Sequence, residues 1–162
     1  MKKLKIIATL LCSTLIFYSC KKDAATVTPE SHTNTSGSFE LLQKVVLTKS
    51  CAISGCHASI NDNAYKQHKL VLTGPDVYKN LFNGSVANAK AIEAGLKQII
   101  PKDAGKSFFY QKLNFATSAY KFGNAMPLGA EPLTANQLKF IKDWIDAGAP
   151  EKGHVADEAL MH

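Results

Sequence analysis

Apolar positions fall into helical spacing in several short stretches, and no stretch alternates as a half-buried strand would. Phe39, Leu42, Val45 and Val46 form one stripe running to about Thr48, with Ser38 placed as its N-cap. Asn61 to Lys69 is polar and reads as loop. The short apolar run Leu70-Val71-Leu72 ends at Gly74-Pro75. Thr73 or Gly74 can then cap a helix with Pro75 at its first position, Asp76 in the first turn, and Val77, Tyr78, Leu81 and Phe82 inward. Asn83-Gly84 stops it. The alanine-rich stretch from Ala87 to Leu96 fits no element clearly, and Lys106 to Leu113 reads as a further helix.

The clearest helix comes last. Thr134 followed by Gln137 predicts a capping box, and Leu138, Ile141 and Ile145 make a stripe widened by Phe140 and Trp144. Gly148 and Pro150 end it. The expected fold class is mostly α: a small domain over 39–150 built from about four short helices and long loops.

The flanks differ in composition. Lys2, Lys3 and Lys5 precede an apolar run from Ile6 to Tyr18 that is short for a membrane span, as in a secretory signal. Phe17-Tyr18-Ser19-Cys20 resembles a bacterial lipobox, so 1–20 reads as a lipoprotein signal peptide and Cys20 as the acylated residue. Seven Ser or Thr among the eighteen residues from Lys21 to Ser38 read as a flexible tether over 21–38. The polar segment 151–162 reads as a disordered tail.

Export changes the charge picture. The net charge of +6 includes the signal lysines. From Cys20 onward 16 lysines stand against 13 acidic residues, or +3. The lysines are scattered, arginine is absent, and no aromatic–basic interleaving marks a nucleic-acid face. Nucleic acid is therefore excluded as a partner.

The chemistry concentrates at Cys51-Ala52-Ile53-Ser54-Gly55-Cys56-His57, where only Cys51 and Cys56 remain once Cys12 and Cys20 are assigned to the signal. Two cysteines followed by a histidine suit covalent haem attachment, with two thioethers and an axial imidazole from His57. The familiar gap is two residues; here it is four. A Cys51–Cys56 disulfide, or a zinc site using Cys51, Cys56 and His57, remains open on these residues alone. A second axial ligand is offered by Met126. Pro127 keeps it out of a helix, and the glycines at 123 and 129 let the loop approach a flat ligand. A gap-filling role in the core is the alternative for Met126. Among the histidines His68 is the reserve ligand, whereas His32 and His154 lie in the presumed flexible ends.

Taken together, Cys56-His57, the run from Pro101 to Leu113 with Gly105-Lys106-Ser107, and Met126-Pro127 followed by Trp144-Ile145-Asp146-Ala147-Gly148-Ala149 resemble class I cytochrome c. The closest resemblance is to the planctomycete-type cytochrome c domain of exported bacterial proteins. It covers about Phe39 to Pro150, and the four-residue cysteine gap departs from its commoner form. The resemblance implies crossing first and last helices wrapped around one haem c. It implies attachment through Cys51 and Cys56, with His57 and Met126 on the iron.

The expected function is that of a monohaem cytochrome, an electron carrier and not an enzyme. Lipid at Cys20 would anchor it to the periplasmic face or outer membrane of a Gram-negative-type bacterium, where it would meet redox partner proteins. The alternative is a haem-free exported lipoprotein, an interaction module closed by a Cys51–Cys56 disulfide. A haem peroxidase would want an open distal site, which Met126 argues against.

Overall fold

The computed structural model describes residues 37–116 and 121–162. The signal segment, Cys20, His32 and the tether up to residue 36 lie outside the described residues. Among those described the fold is mostly helical, with no β-strand and two isolated bridges, Gly37 with Gly153 and Lys97 with Ser107. In chain order the α-helices are α1 (Ser38–Leu42), α2 (Asn63–His68), α3 (Val77–Asn83), α4 (Ala89–Glu93), α5 (Phe108–Leu113) and α6 (Ala135–Asp146). Short 3-10 turns form at Ala104–Lys106 and Glu158–Met161. No helix among the described residues is long and apolar enough to cross a membrane.

α1 runs directly into a π-helical stretch, Gln43–Cys51, whose wider turns continue to a bond from Ala52 N–H to Leu47 O at 2.7 Å. The widening rotates the inward face. Phe39, Leu41, Leu42, Val46 and Leu47 are buried, and Val45 is only partly so. Cys51, at the end of this stretch, is buried as well.

The first and last helices meet at Phe39 and Trp144, whose rings stack with centroids 5.6 Å apart. Tyr78 of α3 packs edge-on against Phe39 at 5.1 Å. It also donates its hydroxyl to Ala149 O at 2.9 Å. Phe140, Ile141, Trp144 and Ile145 are fully enclosed, each aromatic or branched side chain there contributing about 2–3 kcal/mol of transfer free energy. Leu138 is half-buried at the edge of the stripe. The Thr134/Gln137 capping box is present in both directions. The indole N–H of Trp144 donates to Pro150 O at 2.9 Å, so this buried donor is satisfied.

Several expectations need correction. Ser38 is the first residue of α1, not its cap or the end of a tether; the N-cap is Gly37. The fully buried Ser38 hydroxyl instead accepts the amides of Val155 and Ala156 at 2.9 and 3.1 Å. The segment 151–162 is accordingly ordered rather than a disordered tail. Ser38 N–H donates to Gly153 O at 3.0 Å, and Met161 is buried. Asn61 to Lys69 is not all loop, because α2 forms there without burying any residue. α3 starts after Asp76 rather than at Pro75. The Lys106–Leu113 helix divides at Ser107, whose enclosed hydroxyl accepts Ile100 N–H and donates to Asp103 O, both at 2.8 Å.

Candidate functional site

The Cys51–His57 segment is folded back on itself by local hydrogen bonds. Cys56 N–H donates to Ile53 O at 3.0 Å, closing a tight turn with Gly55 at φ +83°. That value suits glycine at the third turn position. His57 N–H donates to Cys51 O at 3.2 Å, so the two ends of the segment are drawn together despite the four-residue gap. Cys51 and Cys56 are free thiols, the first buried and the second half-buried. Burial, and secondarily the neighbouring Cys56, pushes the Cys51 thiol up to about 11, so it is neutral at pH 7.

The following extended segment fixes His57. Its carbonyl accepts Leu72 N–H at 2.8 Å, and its ring Nδ1 lies 2.9 Å from Leu70 O. A carbonyl can only accept, so Nδ1 carries the proton, and in the neutral ring Nε2 is the nitrogen with the lone pair. Asn80 Nδ2 donates to Val71 O at 3.0 Å and Thr73 Oγ1 to Ala58 O at 2.6 Å, tying this segment to α3 and to the loop.

Met126 comes from the opposite side of the chain. Its N–H donates to Lys112 O at 2.8 Å, which hangs the loop from α5. The Lys112 ammonium donates to Phe122 O at 3.3 Å and to Asn124 O. Asn88 Nδ2 also donates to Phe122 O, at 3.1 Å. Partial burial lowers the Lys112 pKa. The peptide bond between Met126 and Pro127 is cis.

These residues open onto one cleft of about 330 Å³, inside the range that small-molecule sites occupy. Cys51, Cys56, His57, His68 and Met126 all line it, with apolar walls that include Leu72, Phe109 and Leu113. The sequence-predicted residues therefore converge, and the reserve ligand is among them. His68 sits at the end of α2 with its ring centroid 6.4 Å from that of His57. Desolvation, then His57 and Lys112, lowers its pKa. His154 lies elsewhere, on the surface beside Glu158. Among the described residues no three His, Cys, Asp or Glu side chains gather as a metal-binding group.

Three contributors have no motif signature in the sequence: the Leu70 carbonyl, Lys112, and Asp62, whose carboxylate accepts the amides of Gly55, Ala58 and Ser59. Only Asp62, shortly after the His57 loop, carried a local hint, since aspartate commonly gathers nearby backbone amides.

No family model matches the chain, and no curated protein or solved structure matches it at a significant level.

Proposed function

We propose that this protein is a monohaem c-type cytochrome, exported, lipid-anchored at Cys20, and carrying single electrons outside the cytoplasmic membrane. The observation that carries the reading is the donor set in one cleft. Two thiols and an imidazole come from a single loop, and a thioether faces the same cleft from another. The residues fit the group chemically. The walls are largely apolar, and His57 presents Nε2 as its free donor while Leu70 O holds the other nitrogen, the arrangement usual for metal-bound histidine.

Cys51 and Cys56 would each add S–H across a vinyl double bond, forming one C–S bond and passing the hydrogen to the neighbouring carbon. His57 and Met126 would hold the iron, and an imidazole–thioether pair suits an electron carrier with a raised potential. When bound, the haem supplies the one-electron couple. The chain's own residues orient it, exclude water and set the polarity around it. The half-exposed position of Cys56 leaves one side of the loop accessible.

Expression with a cytochrome c maturation system, followed by haem staining after denaturing electrophoresis, tests the reading. A stained band supports it. A colourless product with Cys51 and Cys56 bridged would leave the haem-free lipoprotein in its place. Anchoring is tested separately, because Cys20→Ala is expected to release the protein from membranes or block its processing.

A further inference from the structure

We propose that Asp62 is the positioning residue that sets the separation of Cys51 and Cys56, making a four-residue gap serve for two-point attachment. The inference rests on the cytochrome reading above. Asp62 is the N-cap of α2, yet its side chain caps nothing in that helix. Both carboxylate oxygens turn back onto the cysteine loop. Oδ1 accepts Gly55 N–H at 3.1 Å, and Oδ2 accepts Ala58 N–H at 3.1 Å and Ser59 N–H at 2.8 Å.

Three amides from both sides of Cys56-His57 thus converge on one carboxylate. A carboxylate binds amides more strongly than a neutral acceptor, so these three bonds anchor the loop from one side chain. Its consequence for the thiols is geometric. Compared with a two-residue gap, the extra chain is taken up by the turn from Ile53 to Cys56, whose third residue, Gly55, is the one held by Oδ1. With Gly55 fixed, Cys56 cannot drift away from Cys51, and the Cys51 O to His57 N–H bond stays closed. A Cβ on Gly55 would meet nothing within 4 Å. Its left-handed backbone, and not crowding, is what the position requires.

The test uses full-length protein matured with haem, as wild type, Asp62→Ala, Asp62→Asn and Gly55→Ala. The first readout is amide exchange. In Asp62→Ala, exchange at Gly55, Ala58 and Ser59 should rise about tenfold or more, while amides around Trp144 stay protected. Asp62→Asn, which keeps one acceptor oxygen, should fall between. The second readout is the ratio of haem bound through one cysteine to haem bound through two, from peptide mass and the pyridine haemochrome spectrum. Asp62→Ala and Gly55→Ala should both raise it, whereas a merely structural role would lower total yield at a constant ratio. An unchanged ratio in Asp62→Ala, or unchanged exchange at the three amides, overturns the assignment of Asp62. A wild type without covalent haem overturns the cytochrome reading instead, and the attachment role with it.

Discussion

His57 Nδ1 stands 2.9 Å from the carbonyl oxygen of Leu70, thirteen residues further along the chain. This one contact decides which imidazole nitrogen carries the proton, and backbone supplies it, so no side-chain substitution at position 70 removes it directly. Leu70 and Leu72 are both buried, and burying them brings the carbonyl to the ring. Burial of Leu70 and Leu72 and the tautomer of His57 are therefore one event.

Met126 is expected to be the second axial ligand, with His68 the competitor across the same cleft. The two give different spectra and potentials. Thioether ligation favours ferrous iron and a weak far-red ferric band; a second imidazole lowers the potential. Met126→Ala should abolish the band and lower the potential, and His68→Ala should leave both intact. A band that survives Met126→Ala, or that is missing from the wild type, assigns the position elsewhere.

Lys112 holds the Met126 loop through its backbone and through its ammonium. Lys112→Met keeps the carbonyl that accepts Met126 N–H but removes the bonds to Phe122 O and Asn124 O. Loss of these two contacts should cost about 1–2 kcal/mol, because the side chain is only partly buried. The far-red band should then melt away at a lower temperature than the helical signal of the whole protein. If band and helix signal melt together as in wild type, the ammonium is not what secures the loop.

The parts legible in the sequence are those whose causes are local. The Thr134–Gln137 capping box is an i to i+3 code, and the cysteine loop is contiguous. α2 escaped notice because it buries nothing and so has no apolar stripe to read. The π-helical turns before Cys51 carry no residue pattern of their own, and of the two valines in the stripe only Val46 is fully buried. The ordered C-terminal segment was invisible for another reason. Its anchor, Ser38, lies 117 residues away from Val155. In the site the donors could be named from the sequence, but their supports could not. Leu70 acts through its backbone, and Lys112 acts by reaching two carbonyls that only the fold brings near it.

That terminal strap gives a stability prediction. Ser38→Ala removes the acceptor for two amides while leaving the Ser38 N–H to Gly153 O bond in place. The expected loss is about 1–2 kcal/mol, since Val155 is partly exposed and water can replace part of what is lost. Chemical denaturation of wild type and variant measures it. Amide exchange near Val155 should rise before that of α6. A change below about 0.3 kcal/mol would mean that burial of Met161, not the hydroxyl, secures the segment.

Asp146 gives the molecule a defined acid sensitivity. Its carboxyl is held below the ordinary carboxylate range, first by the hydrogen bond from Lys142 and also by Ala104 N–H at 3.0 Å, with burial opposing. A folded-state pKa below the unfolded one stabilises the fold above the unfolded value, near 3.8, and that contribution disappears as pH falls through the folded value. The Lys142 contact is solvent-screened, so the charge should contribute only modestly at neutral pH. Asp146→Asn keeps a neutral oxygen for the Ala104 amide and removes the charge together with the oxygen that accepts from Lys142. The stability difference between wild type and Asp146→Asn should therefore be constant at neutral pH and shrink as pH falls below the unfolded value and through the folded one. It should also shrink with added salt at pH 7, to the extent that Lys142 carries it. A difference that stays flat as acid is added until the protein unfolds would show that the variant acts by disturbing the Ala104 turn, with the ionised carboxylate contributing nothing.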